Sequence, residues 1–129
     1  MKMTRNEEIA EYLIGRDPIP HHTVGRNKTK AQLRKEIPLA SGVLGYFPLA
    51  LQEVAKCSWV GNEQHNPGQP LHWDRTKSKD HADCMLRHFL DRGTIDSDGV
   101  RHAAKCAWRA LAMLELEMEA FNVMEKKSK

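Results

Sequence analysis

The residues with the most suggestive spacing are Asp80 and Asp83 in Asp80-His81-Ala82-Asp83, two carboxylates three positions apart on one helix face. Carboxylate oxygens are the ligands that hard cations such as Mg²⁺ prefer. Glu53 sits at the polar margin of an earlier apolar stripe, and antiparallel packing of the two helices would turn it toward the pair. A cation held by Glu53, Asp80 and Asp83 would bridge phosphate oxygens and stabilise charge during cleavage of a phosphoanhydride. The ordinary reading of the same residues is an acidic first turn answering the helix dipole, with Asp83 and Arg87 as an i, i+4 ion pair.

Arg87 and His88 follow on the same helix. A guanidinium grips phosphate bidentately, and a histidine can donate a proton to a leaving oxygen. His81, Cys84 and His88 also share a face, and His102 with Cys106 could complete a zinc site, but the spacing matches no standard zinc motif. Trp73 lies in a loop rich in Pro and Gly and could stack on a nucleobase, as could Trp59; the plainer role of each is an apolar anchor. Glu115, Glu117 and Glu119 read as a solvated helix face. No glycine-rich phosphate loop, nucleophile elbow or Cys-His pair is present.

The elements that must position these groups are helical. Leu51, Val54, Ala55 and Trp59 recur at helical spacing after Pro48, which predicts a helix over 48–60 closed by Gly61. Ser78 is a natural N-cap for a second helix over 78–92, with Ala82, Met85, Leu86 and Phe89 on its buried face. A third, over 99–124, carries Val100, Ala104, Ala107, Leu111, Leu114, Met118 and Phe121 at alternating steps of four and three. So long a seam in so short a chain points to packing against another subunit; the bland alternative is cover by a short helix opening near Thr4 and ending at Gly15. No segment alternates with a two-residue period, so the fold class is all-α, a small helical bundle. Residues 1–45 read as that first helix plus an irregular basic arm, and 46–129 as the globular domain.

The 129 residues, 40% hydrophobic and 29% charged, suit one modest core and exclude a collagen-like, wholly disordered or disulfide-scaffold chain. No run is long and apolar enough for a membrane span, and the start leads into no signal region. Three cysteines without CxxC spacing suit free thiols in a reducing cytosol. The net charge of +3 comes from residues 1–40, and Arg26, Lys28, Lys30, Arg34 and Lys35 crowd into ten positions. That tract could meet phosphate, although a solvated linker is the commoner fate of such a run; DNA binding ranks well behind.

The ordered blocks Gly42-Val43-Leu44-Gly45-Tyr46-Phe47-Pro48, Glu53-Val54-Ala55-Lys56, Gly61-Asn62-Glu63-Gln64-His65-Asn66-Pro67-Gly68-Gln69-Pro70-Leu71-His72-Trp73, Asp80 through His88 and Asp96 through Lys105 carry a resemblance. Together they resemble the phage dATP/dGTP diphosphohydrolase N-terminal-domain family, over roughly residues 37–117. The resemblance implies hydrolysis of a purine deoxynucleoside triphosphate to monophosphate and pyrophosphate in the cytoplasm of an infected bacterial host. It also implies kinship with the MazG-like all-α pyrophosphohydrolases, homo-oligomers (dimers or tetramers) that use Mg²⁺, or Mn²⁺ in its place, on clustered carboxylates. Glu53, Asp80 and Asp83 would then hold the metal, Lys56, Arg87 and His88 would clamp phosphates, His102 would assist, and Trp73 would meet the base. The chain departs from the MazG-like pattern at Lys56, which stands where the first E-x-x-E pair has its second carboxylate. A binding protein that holds or sequesters a nucleotide without turnover is the rival that this lysine suggests.

Overall fold

The structure, a computed structural model, describes residues 27–128 and Lys2. The expected first helix, residues 16–26 of the arm and the pair His21-His22 lie outside the described residues. The rest of the arm is more regular than its composition suggests. Helix α1 (Lys30–Lys35) is started by a capping box in which the Thr29 hydroxyl accepts from the Gln32 amide and the Gln32 side chain accepts from that of Thr29. Arg34 and Lys35 then sit in its last turn, where cations answer the dipole. A single π-helical turn, Ala40–Leu44, follows. It closes because Gly45 donates its amide to Ala40 O at 2.7 Å, and a Cβ on Gly45 would stand only 2.9 Å from Ser41 O.

Three longer helices make the bundle: α2 (Pro48–His65), α3 (His81–Leu90) and α4 (His102–Lys127). Helix α4 is the strut, with α3 and α2 each packed along it. No strand forms among the described residues, so the all-α expectation holds. The boundaries differ in instructive ways. Helix α2 runs through Gly61 to His65, because a glycine costs a helix only about 1 kcal/mol and packing of α2 along α4 offsets it. The residue flanking the start of α3 is Asp80 rather than Ser78, and α4 begins at His102 because residues 94–101 form a turn of their own.

The anticipated seam of α4 also divides. Ala104, Ala112, Leu116 and Ala120 are buried, at steps of four or eight, whereas Leu111 and Leu114 are half exposed. Alanines let α3 and α2 approach α4 closely, so the small residues, not the large ones, mark the packed line. The 66–80 segment is fastened to α4 as well. Arg75 makes a bidentate pair with Glu119, its Nε at 2.9 and 3.0 Å from the two carboxylate oxygens. Glu119 is thus a tether rather than part of a solvated face. The cysteines, Cys57, Cys84 and Cys106, are free thiols.

Candidate functional site

Helix α2, the 66–78 loop and the first half of α4 enclose a cleft of about 650 Å³. That volume lies within the range of small-molecule sites. Trp108 is one of its walls. The indole Nε1 donates to Ser58 Oγ at 2.8 Å, which fixes the ring between α2 and α4. Trp73 meets Trp108 edge-on at 5.5 Å between centroids, and the Arg75 guanidinium lies 4.2 Å over the Trp73 ring. Trp73 is therefore an anchored wall of the cleft, with one flank already covered by a cation.

Asn62 lines the same cleft and is 7% exposed. Its Nδ2 donates to Gln69 O at 2.9 Å and so pins the start of the loop, while its Oδ1 has no partner. Lys77 and Arg109 bring positive charge to the wall. Arg109 Nη1 stands 3.0 Å from His81 Nδ1. A guanidinium only donates, so Nδ1 accepts and the His81 proton sits on Nε2, a buried atom without a partner. Burial first, and the Arg109 charge next, push the His81 pKa down.

At one side of the cleft α3, α4 and the turn between them converge. Ile95 and Arg101 form an antiparallel bridge, the His102 amide donates to Thr94 O at 3.1 Å, and the Asp96 amide donates to Val100 O at 2.9 Å. Gly99 closes this turn at φ +80°, a conformation that L side chains rarely adopt. The result sets Asp96 and Asp98 around Lys105, whose Nζ is 2.6 Å from an oxygen of each. Hydrogen bonding from Lys105 holds the Asp96 carboxyl down at about 2. His88 and His102 face each other next to this cluster, their Nδ1 atoms 3.0 Å apart. Burial, then the charge of Lys105, lowers the His88 pKa and favours a neutral ring, a lone-pair donor more than an acid.

The residues proposed from sequence fall into separate places. His88 and Trp73 line the cleft, and His102 adjoins it through His88. Glu53 is half-buried on α2 and Asp83 is exposed on the first turn of α3. The Asp80 carboxylate takes the Cys84 thiol at 3.4 Å and lies 3.7 Å from Arg87, whose own Nη2 is 3.0 Å from Cys84 Sγ. Arg87 is in this way tied back to its own helix. Lys56 donates to Gly99 O at 3.1 Å and fastens α2 to the 94–102 turn. Among the described residues Glu53, Asp80 and Asp83 do not come together; the one group of three ligand-bearing side chains within reach of a common ion is His88, Asp96 and His102. The donor set expected for Mg²⁺ is thus not assembled within the described chain.

Sequence reasoning passed over Asn62, Trp108, Arg109 and Lys77. Trp108 carried a signal, since it stands at a step of four from Ala104 and Ala112, on the packed line of α4. Asn62 carried none, because a polar residue at a helix's far end reads as solvated until a loop folds over it.

The model of the family described as dATP/dGTP diphosphohydrolase, N-terminal, matches residues 25–126. The chain belongs to this family. Comparison with curated proteins and with solved structures finds no match. The family match begins before α1 and ends within the last turn of α4, so it spans the cleft, the 94–102 turn and residues 25–45 of the arm in one stretch. No helix among the described residues is long and apolar enough to cross a membrane.

Proposed function

We propose that the cleft between α2, the 66–78 loop and α4 binds a purine deoxynucleoside triphosphate and that the chain hydrolyses it to monophosphate and pyrophosphate. The family supports the substrate class, and Asn62 carries the placement. A buried acceptor without a partner costs about 1–3 kcal/mol, a cost that a ligand N–H can remove. Adenine and guanine both offer amino hydrogens to such an acceptor. With the base at Asn62 and the flat walls of Trp73 and Trp108 beside it, the phosphates extend toward Lys77 and Arg109. Water adds to the α-phosphorus as its bond to the bridging oxygen breaks, and those cations hold the phosphate oxygens and take up charge as pyrophosphate leaves. The residues assembled in the described chain do not fit a carboxylate-built Mg²⁺ site, so the reading rests on these side chains alone.

The active form in this reading is a homo-oligomer, dimer or tetramer. Leu86, Phe89 and Leu90 on α3 and Leu111 and Leu114 on α4 are all about half exposed or more, while half of the buried apolar set is alanine. A second reading, nucleotide binding without turnover, is favoured by one observation: Lys56 stands in the first carboxylate pair and is spent on Gly99 O.

Phosphorus NMR of the chain with dATP and dGTP, with Mg²⁺ or EDTA, separates the two. Pyrophosphate formation, lost in Asn62→Leu with the fold intact, is the expected result. Intact nucleotides from a chain whose melting temperature they raise would replace hydrolysis by binding, and no effect of either nucleotide would overturn both readings.

A further inference from the structure

His88 comes from the last turn of α3 and His102 from the first turn of α4, and their rings approach to 5.2 Å between centroids with a 34° tilt. Two Nδ1 atoms 3.0 Å apart admit two arrangements. Either one ring donates its proton to the other, or both lone pairs aim at one cation. The third group decides: Asp96 Oδ2 lies 4.0 Å from His102 Nδ1, and the three ligand atoms all fall within 4.8 Å of one another.

We propose that His88 Nδ1, His102 Nδ1 and an Asp96 carboxylate oxygen bind a first-row transition-metal dication, of the Zn²⁺, Co²⁺ or Mn²⁺ kind. Metal–nitrogen bonds of about 2.0–2.1 Å near a right angle put two nitrogens about 3 Å apart, the separation seen here. Imidazole nitrogens select such metals over Mg²⁺, which wants oxygen ligands. Two histidines and one carboxylate also leave coordination positions open for water or ligand.

The surroundings suit a cation. The His102 and Asp96 side chains are 13% and 28% exposed, so competing water is limited, and His88 gives the site an edge on the cleft. Lys105 bonds Asp96 and Asp98 equally, so these three groups carry one net negative charge, against which Arg109 adds a positive one on the His88 side. Lys105 also fixes how the Asp96 carboxylate is turned, as outer partners of metal ligands commonly do. A carboxylate oxygen has lone pairs for both the ammonium and a metal. The 94–102 turn is what delivers Asp96, through the Ile95–Arg101 bridge and Gly99. The site stands whether or not the cleft hydrolyses nucleotides.

The test is titration of the metal-free full chain with Co²⁺, read by its visible d–d absorption, then displacement by Zn²⁺. One equivalent per chain is expected, with Mg²⁺ unable to displace it and affinity about tenfold or more weaker in His88→Gln and in Asp96→Asn. Circular dichroism checks that each variant is folded. Wild-type chain carrying ¹⁵N-histidine gives a reading that needs no variant: Zn²⁺ should shift the Nδ1 resonances of two histidines. Absence of Co²⁺ binding, binding unchanged in both folded variants, or Zn²⁺ shifts confined to Nε2 atoms would each overturn the site.

Discussion

The Lys56 ammonium lies 3.1 Å from the carbonyl oxygen of Gly99, joining the middle of α2 to the turn that precedes α4. A lysine in the neighbourhood of carboxylates invites a role at phosphate, yet here its reach ends on backbone and it does not line the cleft. Lys56→Ala should therefore lower stability by about 0.5–1.5 kcal/mol, the net worth of one hydrogen bond, and leave nucleotide affinity nearly unchanged. Thermal melts and nucleotide titration on the same variant check this. A large loss of affinity at unchanged melting temperature would return Lys56 to the ligand.

The same turn makes a second prediction. Gly99 holds φ +80°, and an added Cβ would meet nothing within 4 Å, so the cost of a side chain is conformational rather than steric. Gly99→Ala should destabilise the chain by about 1–2 kcal/mol. Because Asp96 and Asp98 are placed by this turn, Co²⁺ affinity should fall with it. A variant as stable as wild type, by denaturant unfolding, would show that the turn relaxes without loss.

The all-α class and all three long helices were legible because periodicity depends only on which residues are apolar and how they are spaced. Their ends were less so: Gly61 looks like a stop by propensity, but the helix continues across it because packing of α2 along α4 outweighs a single glycine. The site was legible in part. Trp73, His88 and His102 stood out by type, whereas the partnership of His88 with Asp96 depends on a bridge between Ile95 and Arg101 that leaves no period to read. Glu53, Asp80 and Asp83 show the converse. Spacing puts carboxylates on a helix face, but only the roll of each helix decides whether the faces meet, and α2 and α3 each pack chiefly against α4 rather than each other.

His81 sets a pH dependence. It is buried, accepts from Arg109 and is held neutral, its folded pKa lying below the ordinary 6.5. Below pH 6.5 the unfolded chain therefore binds a proton that the native chain resists, and stability falls as pH falls. Asp80, next in sequence, works in the opposite sense on His81 but is outweighed by burial and Arg109. The chain should melt at a lower temperature at pH 5.5 than at pH 7.5, and His81→Gln should shrink that difference. An equal pH difference in the variant would place the dependence on other groups.

The last prediction concerns the apolar surface. Leu111 and Leu114 sit three apart on α4, on a different face from the buried Ala112, Leu116 and Ala120. Leu86, Phe89 and Leu90 make a further stripe on α3, and Leu90 is 78% exposed. Exposed side chains of this size scattered singly are ordinary, but each of these two sets clusters on one helix, and clustered apolar surface commonly marks an interface. Each leucine removed from water by a partner contributes roughly 1.5–3 kcal/mol toward self-association. Sedimentation equilibrium should show a dimer or tetramer, and the double substitution Leu111→Glu with Leu114→Glu should shift it to monomer while the helical signal persists. A wild-type chain that stays monomeric would remove the oligomer from the proposed mechanism, and nucleotide binding would then have to be explained by the cleft of one chain alone.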